Sequence, residues 1–526
     1  MIKTRLVLSV LAVLAVPLIL VVLAGCGSSG DSGSSADPAA VAPPNSPVFV
    51  EAKLRPSGSL KANIEELASR VAGINDVGAK IVAEIEKSAR DSGEPFDYEK
   101  DVEPWLGEDA SVFLSRFNGN DFEGNGVAVE VTDTGEAQDF LDQRVKTDSG
   151  TPPKDESYEG VEYKVDSEDE LGGAVGLVGD FIVFGSDQKA FKEAVDASKG
   201  ESLADVADYK GIVSAAPEGS LADVYVDIGR LIEESDNVDP NTLGFFESLG
   251  LELSEATALA SLVPGTDQVE IDVASGFGGA EGAPPASDLL GSMPADSVIA
   301  LAGSDFGKSI GKAIDQLDQE GIPGQVPPDQ LKSALKRVGI DIDRITGSLE
   351  GIAAFAEGTD KSNLAGAVVL TTDDPTGAAD TVSSVGLLLR ANHTPGVTAV
   401  TGKATGFSVR SPALGAKPLV VAAKGKRIAI GYGLPATIRG LTSESGPTLS
   451  GTATYREAVS ALGGAQISGF VDGAAAVKVA GALVGREDRA KFAEAMPYLS
   501  KIGYIAIGSD SEGGRSVARL IVGLAK

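Results

Sequence analysis

The chain repeats itself, and a repeat has to fold twice. Gly179-Asp180-Phe181-Ile182-Val183-Phe184-Gly185 aligns with Gly425-Lys426-Arg427-Ile428-Ala429-Ile430-Gly431, and at the same offset Leu203 and Tyr209 match Leu449 and Tyr455. Upstream, Gly126-Val127-Ala128-Val129 matches Gly366-Ala367-Val368-Val369. Downstream, Tyr225-Val226-Asp227 matches Phe470-Val471-Asp472, and Gly265 with Val269 matches Gly513 with Val517. Matches that keep their order while the offset drifts by a few residues indicate a tandem duplication with small insertions. Copy one covers residues 47–276, a Gly- and Pro-rich linker 277–285, and copy two 286–526.

Within each copy, short apolar runs alternate with helical patterns. Residues 298–302 read as a strand and 306–317 as a helix with apolar residues at helical spacing. Asp374-Pro375 opens a helix running to residue 389, with proline suited to the first turn. Residues 175–178 and 181–184 flank Gly179-Asp180 as a two-residue hairpin. Hairpins interspersed with helices favour an α+β class over strict βαβ winding. The expectation is two similar α+β domains, each a mostly antiparallel sheet with helices packed on one face.

The N-terminus gives an address. Lys3 and Arg5 precede an apolar run over 6–23, interrupted by Ser9 and Pro17, in the form of a secretory signal. Leu23-Ala24-Gly25-Cys26 resembles the lipobox of bacterial lipoproteins. That resemblance implies removal of residues 1–25, acylation of Cys26 by palmitate-like chains, and attachment to the outer face of the cytoplasmic membrane. The other reading, an uncleaved spanning helix ending at Cys26, leaves the topology unchanged because basic residues stay inside. Residues 26–46 are rich in Gly, Ser, Ala and Pro without a run of large apolar residues, and read as a flexible tether.

Tyr98-Glu99-Lys100-Asp101-Val102-Glu103-Pro104-Trp105-Leu106-Gly107 carries a D-V-x-P-W-L-G segment. With the Gly179–Gly185 hairpin and Ser202-Leu203-Ala204-Asp205, it resembles the bacterial Domain of Unknown Function 3352. The resemblance implies an extracytoplasmic or membrane-anchored protein, and the family brings no established catalytic residues.

Charge divides between the copies. From Glu51 to Asp272 there are 50 acidic and 18 basic residues; from Glu281 onward there are 24 of each. Copy one therefore holds the whole net charge of −32. Between Asp380 and Glu444 there is no acid, while Arg390, Lys403, Arg410, Lys417, Lys424, Lys426, Arg427 and Arg439 are basic. The plain reading is a solvated surface in both copies. The sharper one is that Lys417, Lys424, Lys426 and Arg427 meet an acidic domain, a wall polymer or anionic headgroups. Nucleic acid is excluded by the compartment and the total charge.

Little in the sequence supplies catalysis. Cys26, His393 and Trp105 are each the sole residue of their type. His393 sits at a predicted helix end, where the dipole favours it without further role. Gly303-Ser304-Asp305-Phe306-Gly307-Lys308-Ser309 lacks the first glycine of a phosphate loop, since position 302 is alanine, and reads as a helix start capped by Ser304 or Asp305. Ser186-Asp187-Gln188-Lys189 matches S-x-x-K without its partner motifs, and Ser186 reads as a helix cap. Glu233, Glu234, Asp236 and Asp239 form an oxygen-rich cluster for weak cation binding, interrupted by Pro240; Asp166 to Glu170 reads as an acidic hairpin tip. No metal site and no cofactor are expected. The functional expectation is a non-enzymatic, lipid-anchored binding or assembly protein with a protein or envelope-polymer partner. A carrier of an apolar ligand such as a lipid comes second, and an extracytoplasmic enzyme third.

Overall fold

Strands whose successive side chains point to opposite faces build the sheet that carries each half of the chain. The computed structural model describes residues 36–91, 97–117, 122–144, 153–165, 173–235, 253–275, 287–304, 330–337, 341–442, 446–512 and 515–526, with isolated positions between 307 and 318. The chain forms two units, residues 1–279 with 512–517, and residues 280–511 with 518–526.

In unit 1 the described strands are β1 (Val48–Lys53), β2 (Leu106–Phe117), β3 (Phe122–Val131), β4 (Lys154–Tyr158), β5 (Val161–Val165), β6 (Ala174–Val178), β7 (Phe181–Gly185), β8 (Ala222–Asp227), β9 (Thr257–Pro264) and β10 (Gln268–Ser275). They pair in the order β4-β5-β6-β7-β3-β2-β1-β8-β9-β10, antiparallel throughout. One register row places Phe49, Phe113, Tyr225, Leu259 and Ala274 side by side. All five join one buried cluster, and Tyr209 packs edge-on against Phe49 and Tyr225 at 5.8 and 5.2 Å. The helix Gln188–Lys199 adds Phe191, stacked on Tyr163 at 4.8 Å.

In unit 2 the described strands are β11 (Ser297–Ser304), β12 (Leu349–Glu357), β13 (Ala365–Thr372), β14 (Val397–Val400), β15 (Thr405–Val409), β16 (Leu419–Lys424), β17 (Arg427–Tyr432), β18 (Gln466–Asp472), β19 (Ile502–Glu512) and β20 (Arg515–Leu524), the last residue of β19 and the first three of β20 belonging to unit 1. Their order is β14-β15-β16-β17-β13-β12-β11-β18-β19-β20, with the pairings from β14 to β19 antiparallel. Its central row is Phe355, Ala300, Phe470 and Ala506, and Tyr455 packs edge-on against Phe470 at 5.3 Å. The mixed helix and strand class with a large antiparallel sheet is therefore as expected.

The helices do not keep to one face, which corrects the expectation. On β7, Phe181 and Val183 belong to the Tyr209 cluster, while Ile182 belongs to a second one with Trp105, Ala137 and Leu141. The helix Thr134–Arg144 supplies Ala137 and Leu141 to that opposite side. In unit 2, Ala429 faces the Tyr455 cluster and Ile428 faces Ala378 and Val382 of the helix Pro375–Ala391. A strand apolar at consecutive positions needs cover on both faces, because successive side chains point to opposite sides.

A second correction concerns residues 36–46, read as part of a flexible tether. They form a 3-10 turn, Pro38–Val41, and Ala39, Val41, Ala42 and Ser46 are buried in unit 1. Leu203 N–H donates to the Ala42 carbonyl at 2.9 Å. Small side chains cannot build a core of their own, but they fit closely onto one already made. Residues 26–35 lie outside the described residues.

The repeat alignment also shifts by one residue in β3. Gly126 pairs with Gly185, whereas Gly431, the partner of Gly185 in the alignment, pairs with Ala367 and not Gly366. Gly126 lies opposite Phe113, and Ala367 opposite Phe355. A Cβ at Gly126 would fall 1.9 Å from the Phe113 ring. Gly126→Ala is therefore expected to cost about 1–3 kcal/mol through overpacking. Ala367→Gly should cost about 0.5–1 kcal/mol, through backbone entropy. Urea unfolding followed by the fluorescence of Trp105, which lies in unit 1, checks the first change; a Gly126→Ala variant as stable as the parent would count against the register.

Candidate functional site

The sequence of β1, V-F-V-E-A-K, sets Phe49, Glu51 and Lys53 on one face and Val48, Val50 and Ala52 on the other. The apolar face of the row beginning at Phe49 is followed, two residues on, by a polar one. Ser111, Glu51, Asp223, Ser261 and Asp272 stand side by side across β2, β1, β8, β9 and β10. One further step along β1, Lys53 pairs with Asp109 on β2. The side of the sheet that holds the Tyr209 cluster thus holds a band of carboxylates and hydroxyls beside it.

Each group in the band has a defined place. Lys53 Nζ lies 2.7 and 2.9 Å from the two carboxylate oxygens of Asp109, which is 1% exposed. Glu130 on β3 accepts backbone N–H groups from Ala36, Glu108 and Asp109 at 3.1, 2.8 and 3.0 Å. The Asp223 carboxylate accepts from the hydroxyls of Ser220 and Ser261. Ser111 is 2% exposed and its hydroxyl has no partner among the described residues. Burial pushes the Glu51 carboxyl up to about 7, and Asp109, Asp37 and Asp223 add to this against the opposing effect of Lys53. Burial also raises Asp109 despite its ion pair with Lys53. The Tyr209 hydroxyl is held far above the ordinary phenol range by burial, with Glu51 the largest charge acting on it.

The D-V-x-P-W-L-G segment supports this band. Trp105 Nε1 donates to the Asp101 carbonyl at 2.8 Å, and its ring packs 5.0 Å from Phe140. Arg55 donates to the Leu106 carbonyl at 2.8 Å. A Cβ at Gly107 would lie 2.6 Å from the Glu130 side chain, so only glycine lets Glu130 cross there. At the same sheet positions unit 2 has Ala302 in place of Glu51 and Ala353 in place of Ser111. Part of the acidic excess of copy one is thus inside the fold, with Asp109, Glu130 and Asp272 buried. A solvated surface does not account for all of it. The band escaped sequence reading because acids were counted by segment; the signal was the lone Glu51 at an inward position of an apolar strand.

The residues singled out from sequence are scattered. Cys26, Asp236, Asp239 and the 166–170 tip lie outside the described residues, as does Asp305. Glu233 ends the helix Ile228–Glu233, and Glu234 is 4.0 Å from Arg230. Among the described residues no cluster of His, Cys, Asp and Glu is arranged to hold a metal. Lys424 and Lys426 share the β16–β17 turn. Lys417 instead donates to the Asn363 and Leu364 carbonyls at 2.8 and 2.7 Å, beyond the other end of that hairpin. Arg427 turns inward to Ser292 Oγ at 2.8 Å and the Gly440 carbonyl at 3.2 Å. His393 is exposed at φ 52°, past the end of the helix Pro375–Ala391. Ser186 does not cap the following helix: Asp187 does, accepting from Ala190 N–H, while the Ser186 hydroxyl accepts from Asn125 N–H at 3.0 Å. Asp187 wins because it is the last extended residue before the helix and also pairs with Arg116 at 2.7 Å.

A family model described as "Protein of unknown function (DUF3352)" matches residues 7–462. The chain belongs to this family. No curated protein matches it. A solved structure described as "Structure of crystal form I of TP0453" aligns with 78% of this DUF3352 chain and 98% of its own, at 10% identity and a TM-score of 0.16. Among the described residues no helix is long and apolar enough to cross a membrane.

Chemically, the band can hold a proton near neutral pH. Glu51 titrates near 7 in the folded DUF3352 chain against an ordinary value of 4.5, so folding is favoured most below pH 4.5 and loses that contribution as pH rises towards 7. The loss amounts to at most about 1.4 kcal/mol per pH unit across that window. Glu51→Gln keeps the shape without the charge. It should raise unit 1 stability at pH 8 by about 1–3 kcal/mol and change little at pH 4.5. Urea midpoints at both pH values, read on Trp105, check this; a variant destabilised equally at both would contradict it.

Proposed function

We propose that this DUF3352 protein is a lipid-anchored, extracytoplasmic binding or assembly protein, held at the outer face of the cytoplasmic membrane through Cys26, and that its two units arose by tandem duplication. The identical strand order of the two sheets supports the duplication, as do three matched details. Tyr209 on Tyr225 and Tyr455 on Phe470 form the same edge-on pair. Leu203 and Leu449 open short 3-10 turns whose first N–H bonds to Ala42 and Met293. Asp227 and Asp472 each end a strand by capping a helix.

The observation that carries the binding role is an apolar row on unit 2. Ile430, Val368, Ala354, Leu301, Gly469 and Ile507 stand side by side across five of its strand pairings. Ile430, Val368, Leu301 and Ile507 are 37–45% exposed. Gly469 leaves room for its neighbours: a Cβ there would lie 3.0 Å from Leu301 and 3.1 Å from Ile507. Aligned apolar side chains facing water favour contact with a partner over an isolated surface. The carrier reading has less support, because the two clefts that share Ser292 and Thr448, about 240 and 510 Å³, are open to solvent, and charged Asp296, Arg439 and Asp288 stand among the proline, valine and isoleucine of their linings.

Two measurements test this. Cys26→Ala should leave an unprocessed precursor lacking acyl label; normal maturation of the variant would remove the anchor. Native mass spectrometry of protein extracted from its own membranes in mild detergent should give an acylated chain bound to another protein, with that complex lost in Leu301→Asp. An acylated chain carrying one discrete lipid, unaffected by Leu301→Asp, would replace the binding role with the carrier.

A further inference from the structure

Residues 36–47 lie over the polar band of unit 1. Ala36 N–H bonds to Glu130, Asp37 comes near enough to Glu51 to raise its proton affinity, and Ala39, Val41 and Ala42 sit in the Tyr209 cluster. The groups facing Glu51 come from every element packed around it. They are Asp37 from this segment, Lys53 from β1, Asp109 from β2, Asp223 from β8 and the Tyr209 hydroxyl from the helix Ala207–Val213. Glu108 and Glu130 flank the Lys53–Asp109 pair, and Asp272 closes the row on β10. Glu51 itself has no side-chain hydrogen bond among the described residues, and the one cation near it is already bonded to Asp109.

We infer that residues 36–47 form a proton-gated strap, latched over the sheet while Glu51 is protonated and loosened when Glu51 ionises. A neutral Glu51 needs no counter-charge. An ionised one adds a negative charge on the half-buried Glu51 beside the buried Asp109, with Asp223 and the exposed Asp37 close by, and a charge held partly out of water without a partner is costly. The least expensive relief is to move the strap. β1, β2 and β8 are fixed by continuous ladders, whereas residues 36–46 pair with no strand and the strap joins the sheet only at its end, where the Pro47 carbonyl accepts from Asp227 N–H at 2.8 Å and β1 begins at Val48. Lifting it removes Asp37 and admits water to Glu51, whose proton passes to solvent.

A latched strap also sets reach. If Cys26 is the anchor, a reading this consequence rests on, ten residue steps separate it from Ala36, about 35 Å at full extension. An undocked strap extends the span to Pro47 and about 70 Å.

Hydrogen exchange of the full-length protein in detergent micelles between pH 5 and 8, corrected for intrinsic exchange, tests the latch. With Glu51 moving from about 7 when latched towards 4.5 when released, opening of 36–47 should rise by up to about tenfold per pH unit below 7 and level off above it. The β6–β7 hairpin should not follow. Glu51→Gln should abolish the dependence, and Asp37→Asn should weaken it. A flat wild-type profile, or the same slope in Glu51→Gln, would overturn the proposal. Repeating the measurement on Cys26→Ala separates the two readings: an unchanged profile keeps the latch even where the anchor fails, while a profile lost with the acyl group overturns gating by Glu51.

Discussion

Both units depend on one contact, an aromatic ring set edge-on over the middle of an antiparallel sheet. Tyr209 covers Tyr225 and Phe49, and Tyr455 covers Phe470. The sheet residues belong to central strands, so they are the points through which opposite ends of each sheet are joined. Burial holds both tyrosine hydroxyls in their neutral form, Tyr455 with a pKa of about 12. Edge-on rings add a geometric preference to their area, about 0.5–1.5 kcal/mol per pair. That preference fixes which helix lies over which strand, and the capping aspartates at Asp187, Asp227, Asp374 and Asp472 then set where each helix starts.

Around a scaffold so fixed, the two units differ. Phe49 and Glu51 in unit 1 stand where Ala300 and Ala302 stand in unit 2, and Ser111 where Ala353 stands. The alanines let unit 2 close with a plain core, whereas unit 1 accepts a carboxylate two residues from its aromatic centre. Phe181, buried in the unit 1 core, has Arg427 as its counterpart in the repeat alignment, and that guanidinium is satisfied by a serine and the carbonyl of Gly440 near a helix end. Each unit thus holds one polar function at a place the other keeps apolar.

How much of this was legible follows from period and range. The hairpin at Gly179-Asp180, the Asp374-Pro375 helix and the strand at 298–302 were readable, because their signals lie within a few residues of one another. The two-faced covering of the sheets was also present, in the unbroken apolar run Phe181-Ile182-Val183-Phe184, but repeat spacing and hairpin logic alone gave no reason to weigh it. The one-residue shift at Gly126 was not readable, since only the cross-strand partner Phe113 distinguishes Ala367 from Gly366. The docking of 36–46 was hidden for a different reason. Composition reports whether a segment can make a core, and says nothing of whether it can complete one. The Glu51 band needed all five strands in register before five isolated polar residues became one row.

Charge bears differently on the unit that follows the N-terminal segment. If Cys26 carries the lipid, the unit with 50 acids and 18 bases is held by the shorter connection to an anionic bilayer. Its repulsion from headgroups is screened within about 8 Å at physiological salt. It cannot pull against a strap some tens of ångströms long; it only prevents the unit from lying flat on the surface. The force that works on the strap is therefore the local one, among Asp37, Glu51, Asp109 and Asp223, which stand close together with Asp109 buried and Glu51 half-buried, so that screening is weaker there than in open solvent. If Cys26 is the anchor, surface charge and buried charge in the same unit thus act on different parts of the problem, the first on orientation at the membrane and the second on the strap itself.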